Sequence, residues 1–314
     1  MSSETLKSKA VGKVWRLTKP GHFEVEEVAI PKPTADQVLV DVKSVGVCGT
    51  DIHGSMGILG TPLVLGHDGE VVWKGKRFTV DPALVCRRCE ECLSDRSYAC
   101  AQYRFLGMNT DGLFATQVLL PERSLHELPE NFPENAATVL EPIAVALRVK
   151  DRIPSSDRVT IIGAGPMGLV IGLLLSKSGM EISLVEPKAN RRAFAQSWGL
   201  HAEESTSYQD HLYIETSAND LATKHLLEAA PAGSTICMVG APATEYSMRN
   251  LLLKDFSIIG MRGGAGRYRA AIALVQAGVI PVADLVTHTF TNPVDAVTQV
   301  RDHGDEIIRA VINF

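Results

Sequence analysis

Between residues 10 and 47 apolar and polar residues alternate in three runs, KVWRLT, HFEVEEV and QVLVDVKSVGV. A period of two belongs to half-buried strands. The turn-forming groups Lys19-Pro20-Gly21 and Pro31-Lys32-Pro33 separate the runs. Shorter strand patterns follow at Gly69 to Trp73, Arg77 to Val80 and Leu113 to Leu120, so the first 130 residues predict a small β-barrel or sandwich with loops rich in Gly and Cys. After Pro133 the period changes. ENAATVLEPIAVALRVKD carries apolar residues at helical spacing, and the compact apolar strand Val159 to Ile162 comes next. From there strands (MEISLVEP, HLYIETS, STICMVGAP, FSIIGM) alternate with helices (NRRAFAQSWGL, DLATKHLLEAA), a βαβ series that predicts a doubly wound parallel sheet. One more helix, RYRAAIALVQAG, leads to LVTHTF and a closing AVINF strand, which are expected to return to the first domain. The expected divisions are residues 1–146, 147–262 and 263–314, with a ligand cleft between packed domains.

Composition narrows the function more than the fold. Of 314 residues, 45% are hydrophobic and 21% charged, which excludes disordered and collagen-like chains. The net charge of −5 and the lack of any basic run argue against nucleic acid as a partner. The N-terminus has no apolar segment before a small-residue cleavage site, so no secretory leader is expected and a cytoplasmic location is. Val159 to Ser176 is long and uncharged, but five Gly or Pro residues from Gly163 to Gly172 suit a strand, turn and helix rather than a membrane span. Four of the six cysteines crowd between Cys86 and Cys100, which in a reducing compartment favours metal over disulfides.

Three constellations carry chemistry. Gly163-Ala164-Gly165-Pro166-Met167-Gly168 follows a strand and opens a helix, so its glycines allow a tight turn and close approach of a pyrophosphate to the helix N-terminus. Glu186 ends the next strand, where an acid accepts hydrogen bonds from adenosine ribose hydroxyls and repels a 2′-phosphate; NAD is therefore expected over NADP. Lys188, Arg191 and Arg192 stand nearby as candidate phosphate ligands that would reverse this preference. Cys86-x2-Cys89-x2-Cys92-x7-Cys100 supplies four soft ligands for a tetrahedral, closed and hence structural zinc. Cys48, in the run Cys48-Gly49-Thr50-Asp51-Ile52-His53, and His67, in Gly66-His67-Asp68, are candidate ligands of a catalytic zinc, which needs three protein donors and one open position. Both Asp68 and Glu141 qualify as the third. Neighbours on an extended chain point to opposite sides, so Glu141 is preferred and Asp68 is expected behind the ligands or as an alternate ligand.

These motifs, with Asn109-Thr110-Asp111-Gly112-Leu113-Phe114-Ala115 and Glu141-Pro142, occur in the order found in zinc-dependent medium-chain alcohol dehydrogenases. The chain resembles the polyol branch of that family, similar to sorbitol and threonine dehydrogenases, over nearly its whole length. The resemblance implies a GroES-like catalytic domain beside a Rossmann domain. It also implies a catalytic zinc at Cys48, His67 and Glu141 and a structural zinc at Cys86, Cys89, Cys92 and Cys100. Departures mark a compact member: Asp68 replaces the usual Glu, GEVVWKGKRFTV shortens the segment between Asp68 and Asp81, and a strand-helix portion between Leu200 and Glu215 is trimmed.

The expected activity is hydride transfer between a secondary alcohol (polyol, sugar, cyclitol or hydroxy amino acid) and NAD, in a homo-oligomer. Zinc acts as the Lewis acid, Thr50 receives the hydroxyl proton and His53 passes it to solvent. Small Gly49, Gly54, Ser55 and Gly57 suggest room for a hydroxylated substrate, and Arg262 and Arg267 are candidate contacts to cofactor or a substrate anion. Two other classes stand beside this one: a non-catalytic protein that binds NAD(H) and zinc, and a zinc hydrolase. Against the hydrolase, no G-x-S-x-G or H-E-x-x-H occurs.

Overall fold

The computed structural model describes residues 11–314, and part of the N-terminal stretch read for a leader lies outside them. The alternating runs form the strands Val11–Lys19, His22–Ala29 and Gln37–Gly46. The first two pair antiparallel and, with Leu63–Val64, make a three-stranded sheet. Gln37–Gly46 instead enters a seven-stranded sheet, flanked by Asp68–Trp73 on one side and Arg309–Asn313 on the other, with Gln117–Pro121 pairing along its first half. The shortened segment after Asp68 is a tight hairpin: Trp73 pairs with Lys76 across Lys74 and Gly75, both at positive φ. Two such residues match the right-handed twist of the strands they join.

Contacts divide the chain into two compact units. One comprises residues up to Val139 with Val286–His303 and Arg309–Phe314; the other comprises Leu140–Leu285 with Gly304–Ile308. The division therefore falls at 139/140 rather than 146/147, and 263–285 stay with the second unit instead of returning to the first. The reason is close packing. The helix Tyr268–Gln276 lies on the helix Leu140–Arg152, a Cβ at Gly264 would stand 2.5 Å from the Ala144 side chain, and buried Arg148 donates to the carbonyls of Arg262 and Gly263 at 2.5 Å each. The return begins at Val286, whose strand Val286–Phe290 pairs parallel to Arg309–Asn313.

The second unit is built on six parallel strands in the order His201–Glu203, Glu181–Val185, Arg158–Ile162, Leu212–Glu215, Thr235–Met238, Ser257–Gly260. The order reverses between Arg158–Ile162 and Leu212–Glu215, and in such sheets a dinucleotide lies across the carboxyl ends of the strands at that reversal. No helix joins His201–Glu203 to Leu212–Glu215. Tyr208 partly fills the place, its ring 6.0 Å from Tyr213 and 5.1 Å from His225, beside a polar groove of about 270 Å³ lined by Thr160, Ser183 and Glu203.

Candidate active site

The short helix Gly49–His53 begins where the strand Gln37–Gly46 ends, with Cys48 at its N-cap. Asp51 reaches back from this helix and accepts from the backbone N–H of Cys48 at 2.9 Å and of Gly66 at 2.8 Å. One fully buried carboxylate thereby ties together the two segments that carry Cys48 and His67. It also lies 3.9 Å from His67 Nδ1, a buried nitrogen with no hydrogen bond. Burial, the largest influence, raises the Asp51 pKa against the pull of His67 and the two amides.

Cys48, His67 and Asp68 bring one ligand atom each to within 4.8 Å of one another. That convergence overturns the expectation that Asp68 points away from His67. The strand Asp68–Trp73 starts only at Asp68, and Gly66 before it sits at φ +88°, so the alternation of an extended chain does not reach the pair. Asp68 Oδ1 stands 3.6 Å from His67 Nε2, while Oδ2 accepts from Arg309 Nη2 at 2.5 Å. Arg309, 2% exposed, also donates to the carbonyls of Val47, at 3.1 Å, and Thr138. A Cβ at Gly46 would overlap its guanidinium, so that glycine is required by space rather than by backbone angle. Burial opposes a charge on His67, yet Asp68, Cys48 and Asp51 outweigh it and hold the imidazole pKa well above its usual value. A sulfur, an imidazole and a carboxylate, all half-buried or buried and strongly polarised, form a donor set suited to a divalent zinc ion.

Thr50 and His53 lie on the same helix. The Cys48 thiol is 3.7 Å from Thr50 Oγ1, and His53 is the last residue of the helix, half-buried. Glu141 is buried in the first turn of Leu140–Arg152, in the other unit. Of the small residues read as room for substrate, only Gly49 has open space about it; Gly54 packs on Leu59, Gly57 on Pro20, and Ser55 is buried with its hydroxyl donating to Ile52 O at 2.7 Å. Those three serve the turn. Arg267 pairs with Asp151 at 2.8 Å.

The four-cysteine lobe fits zinc independently. Its sulfurs fall within 4.8 Å of one another, with Cys86 Sγ 3.9 Å from Cys92 Sγ and 3.7 Å from Cys100 Sγ. A zinc–sulfur bond of about 2.3 Å gives a tetrahedron with edges of about 3.8 Å. The cysteines are free thiols, as a metal site requires. Backbone amides of Arg88 and Cys89 draw the Cys86 thiol down to about 6, while burial and the neighbouring thiols push Cys92 up to about 12. Metal binding would deprotonate the whole set.

In the second unit Gly163, at φ +100°, leaves the strand Arg158–Ile162, and Gly165 caps the helix Pro166–Ser176 with Pro166 in its first turn. A Cβ at Gly168 would strike the Gly163 carbonyl, so helix and loop touch backbone to backbone; Met167 belongs to the first turn of that helix. Buried Glu186 accepts from Ala164 N at 3.0 Å and Lys188 N at 3.1 Å, which holds its carboxylate against the loop. The nearby cations are engaged elsewhere: Lys188 pairs with Asp305, Arg191 donates to Gly304 O and Arg192 to the carbonyls of Glu186 and Pro187.

Comparison with known proteins falls on the same two features. Residues 34–130, which contain the trio's three residues and the cysteine lobe, match the alcohol dehydrogenase GroES-like domain, and residues 157–244 match an FAD binding domain. The L-threonine 3-dehydrogenase of Bacillus licheniformis is 26% identical across 87% of this chain and 91% of its own. The sorbitol dehydrogenase of Halalkalibacterium halodurans is 27% identical across 86% and 90%. An alcohol dehydrogenase of E. coli, solved with NADH, superposes with a TM-score of 0.85 at 25% identity over 97% of this chain and 99% of that one. The chain is similar in sequence and fold to zinc-type medium-chain alcohol dehydrogenases. It is accordingly an oxidoreductase with a GroES-like unit and a Rossmann unit. Two site residues have no role in the sequence reading: Asp51, which stood inside the quoted Cys48–His53 run, and Arg309, which lies 241 positions from Asp68. No local pattern marks the second.

Proposed function

We propose that this oxidoreductase transfers hydride between a secondary alcohol carrying further polar groups and NAD, with a catalytic zinc held by Cys48 and His67 together with a carboxylate, and a structural zinc held by Cys86, Cys89, Cys92 and Cys100. The observation that carries the reading is the buried convergence of Cys48, His67 and Asp68 within 4.8 Å, in a chain that also has a phosphate loop at the reversal of a parallel sheet. When bound, zinc supplies Lewis acidity that lowers the pKa of an alcohol, and the nicotinamide supplies the hydride acceptor. The chain's own groups do the rest. Asp51 ties the Cys48 and His67 segments together through the amides of Cys48 and Gly66, and Arg309 holds Asp68 by one oxygen, which fixes the wall behind the ligands. Thr50 Oγ1, beside the Cys48 sulfur, takes the hydroxyl proton of the substrate, and His53 at the helix end relays it to water.

Glu186, engaged with the loop amides, and the engagement of Lys188, Arg191 and Arg192 with other partners favour NAD over NADP. The named activities of the threonine and sorbitol dehydrogenases support polyols, sugars and 3-hydroxy amino acids as the class to test. The test is a coupled screen for nicotinamide reduction across those classes with NAD and NADP in parallel, on protein whose zinc content has been measured. Turnover with NAD on a polyol or hydroxy amino acid is the expected result. No turnover by protein that holds two zinc equivalents and binds NADH would make this a binding protein instead.

A further inference from the structure

The second unit holds a buried acid that the proposed chemistry does not use. Glu215 ends the strand Leu212–Glu215, at the point where the sheet order reverses, and is fully buried. Its Oε1 collects three donors from the following loop: Ser217 N at 2.8 Å, Ala218 N at 3.1 Å and the Ser217 hydroxyl. Its backbone carbonyl accepts from Val239 N and Gly240 N, both at 2.9 Å, so the same residue gathers the turn after the next strand. Ala218 is held at φ +51°, a left-handed conformation that a non-glycine residue occupies only when its surroundings impose it. The other carboxyl oxygen, Oε2, is buried without a hydrogen-bond partner. It faces Gly240, where a Cβ would overlap it and stand 2.7 Å from Ala218 N. A full complement of donors on one oxygen and none on the other is an arrangement for shaping a loop, not for binding an ion.

That loop lies against the phosphate-binding turn. Thr216 N donates to Ile162 O at 2.9 Å, the Thr216 hydroxyl to Ile162 O and Gly163 O at 2.8 and 3.1 Å, and a Cβ on Gly163 would come within 3.1 Å of Ser217 N. Adenosine is marked on the far side of the turn by Glu186, one strand in the opposite direction from the reversal. A dinucleotide whose pyrophosphate crosses the turn must therefore extend its other half towards the ends of Leu212–Glu215 and Thr235–Met238. We propose that Glu215 is a positioning residue for the nicotinamide half of the cofactor: by gathering Ser217, Ala218 and Gly240 it holds the two loops that border that half in one rigid arrangement. Burial, the largest influence, also raises the Glu215 pKa, against the hydrogen bonds from Ser217 and Ala218 that lower it.

The inference rests on the cofactor reading above, and its test separates the two. NADH reports on both halves of the site and AMP on the adenosine half alone. Glu215→Ala is expected to weaken NADH binding by about 10- to 100-fold, the scale on which a misplaced wall costs a well-positioned ligand, and to leave AMP within about twofold. Gly240→Ala, which pushes a methyl group against Oε2, reproduces that pattern without removing the acid. Glu215→Gln keeps the acceptor Oε1 and restores NADH binding to within about threefold of the parent. The idea is overturned if Glu215→Ala binds NADH as the parent does, if it loses AMP and NADH equally, or if Glu215→Gln is as impaired as Glu215→Ala. Parent protein that binds neither NADH nor NADPH would instead remove the cofactor reading itself.

Discussion

The two sulfur-containing sites of the first unit are built on opposite plans. The cysteine lobe takes all four groups from fifteen consecutive positions, 86–100, three of them half-exposed, and its neighbours contribute little but backbone amides. The Cys48, His67 and Asp68 site has two of its three groups buried and is assembled from distant parts of the chain: a helix N-cap, a glycine turn, the start of a strand, and an arginine from the last strand. The lobe would be held together by a zinc ion bound in it. The second site is held by hydrogen bonds and ion pairs of the protein itself, a preorganisation that a catalytic zinc would need and a structural one can do without.

The largest expected break in that contrast comes from Cys48→Ser. One zinc equivalent should disappear and kcat should fall by about three orders of magnitude or more, because the Lewis acid is lost, while NADH affinity is retained. A normal rate in that variant would remove the zinc assignment. Next comes Arg309→Met, which strands the Asp68 charge in the interior; unfolding in urea should show a loss of about 3–5 kcal/mol. Stability unchanged by that substitution would mean that the buried pair contributes nothing. Cys89→Ser should act in the opposite sense to Cys48→Ser. It loses the lobe zinc and about 5–10 °C in melting temperature, with kcat per folded molecule within about twofold.

The smallest effect is one of pH. Burial pushes Asp81, at the entry to the lobe, up to about 6 from an ordinary 3.8. The folded chain therefore binds that proton more tightly than the unfolded one. The stability it contributes is present in full below about pH 4 and is lost as pH rises through about 6. Asp81→Asn removes this slope, so the variant should match the parent near pH 4 and exceed it by about 2–3 kcal/mol at pH 7.5 in paired denaturation curves. Parallel curves at both pH values would show that the carboxyl titrates normally.

How much of this was legible depended on distance along the chain. The Gly163–Gly168 turn and the cysteine lobe are contiguous, so spacing alone brought their groups together, and the alternation of residues 11–46 gave its strands within a residue or two. Leu113 to Leu120 read as one strand, but only Gln117–Pro121 is laddered, because Gly112 and Phe114 are drawn instead to the carbonyls of Val64 and Leu65. The helices Met248–Leu253 and Pro293–Asp302 were not anticipated, although Ser247 and Asn292 cap them as such residues do. Arg309 was out of reach for a different reason. Its pattern is that of an ordinary strand residue, and only the pairing of Val311 with Gly46 brings it beneath Asp68.

That pairing bears on how the molecule is made. The strand Arg309–Asn313 is not an edge but an interior member of the first unit's large sheet, between Gln37–Gly46 and Val286–Phe290. On the ribosome, where earlier segments ordinarily fold first, the second unit has most of its residues available while the first still lacks a central strand and the guanidinium that neutralises Asp68. The unit translated first is thus completed only after the second, and loss of residues 309–314 should cost the Cys48, His67 and Asp68 site its foundation while leaving the parallel sheet able to form.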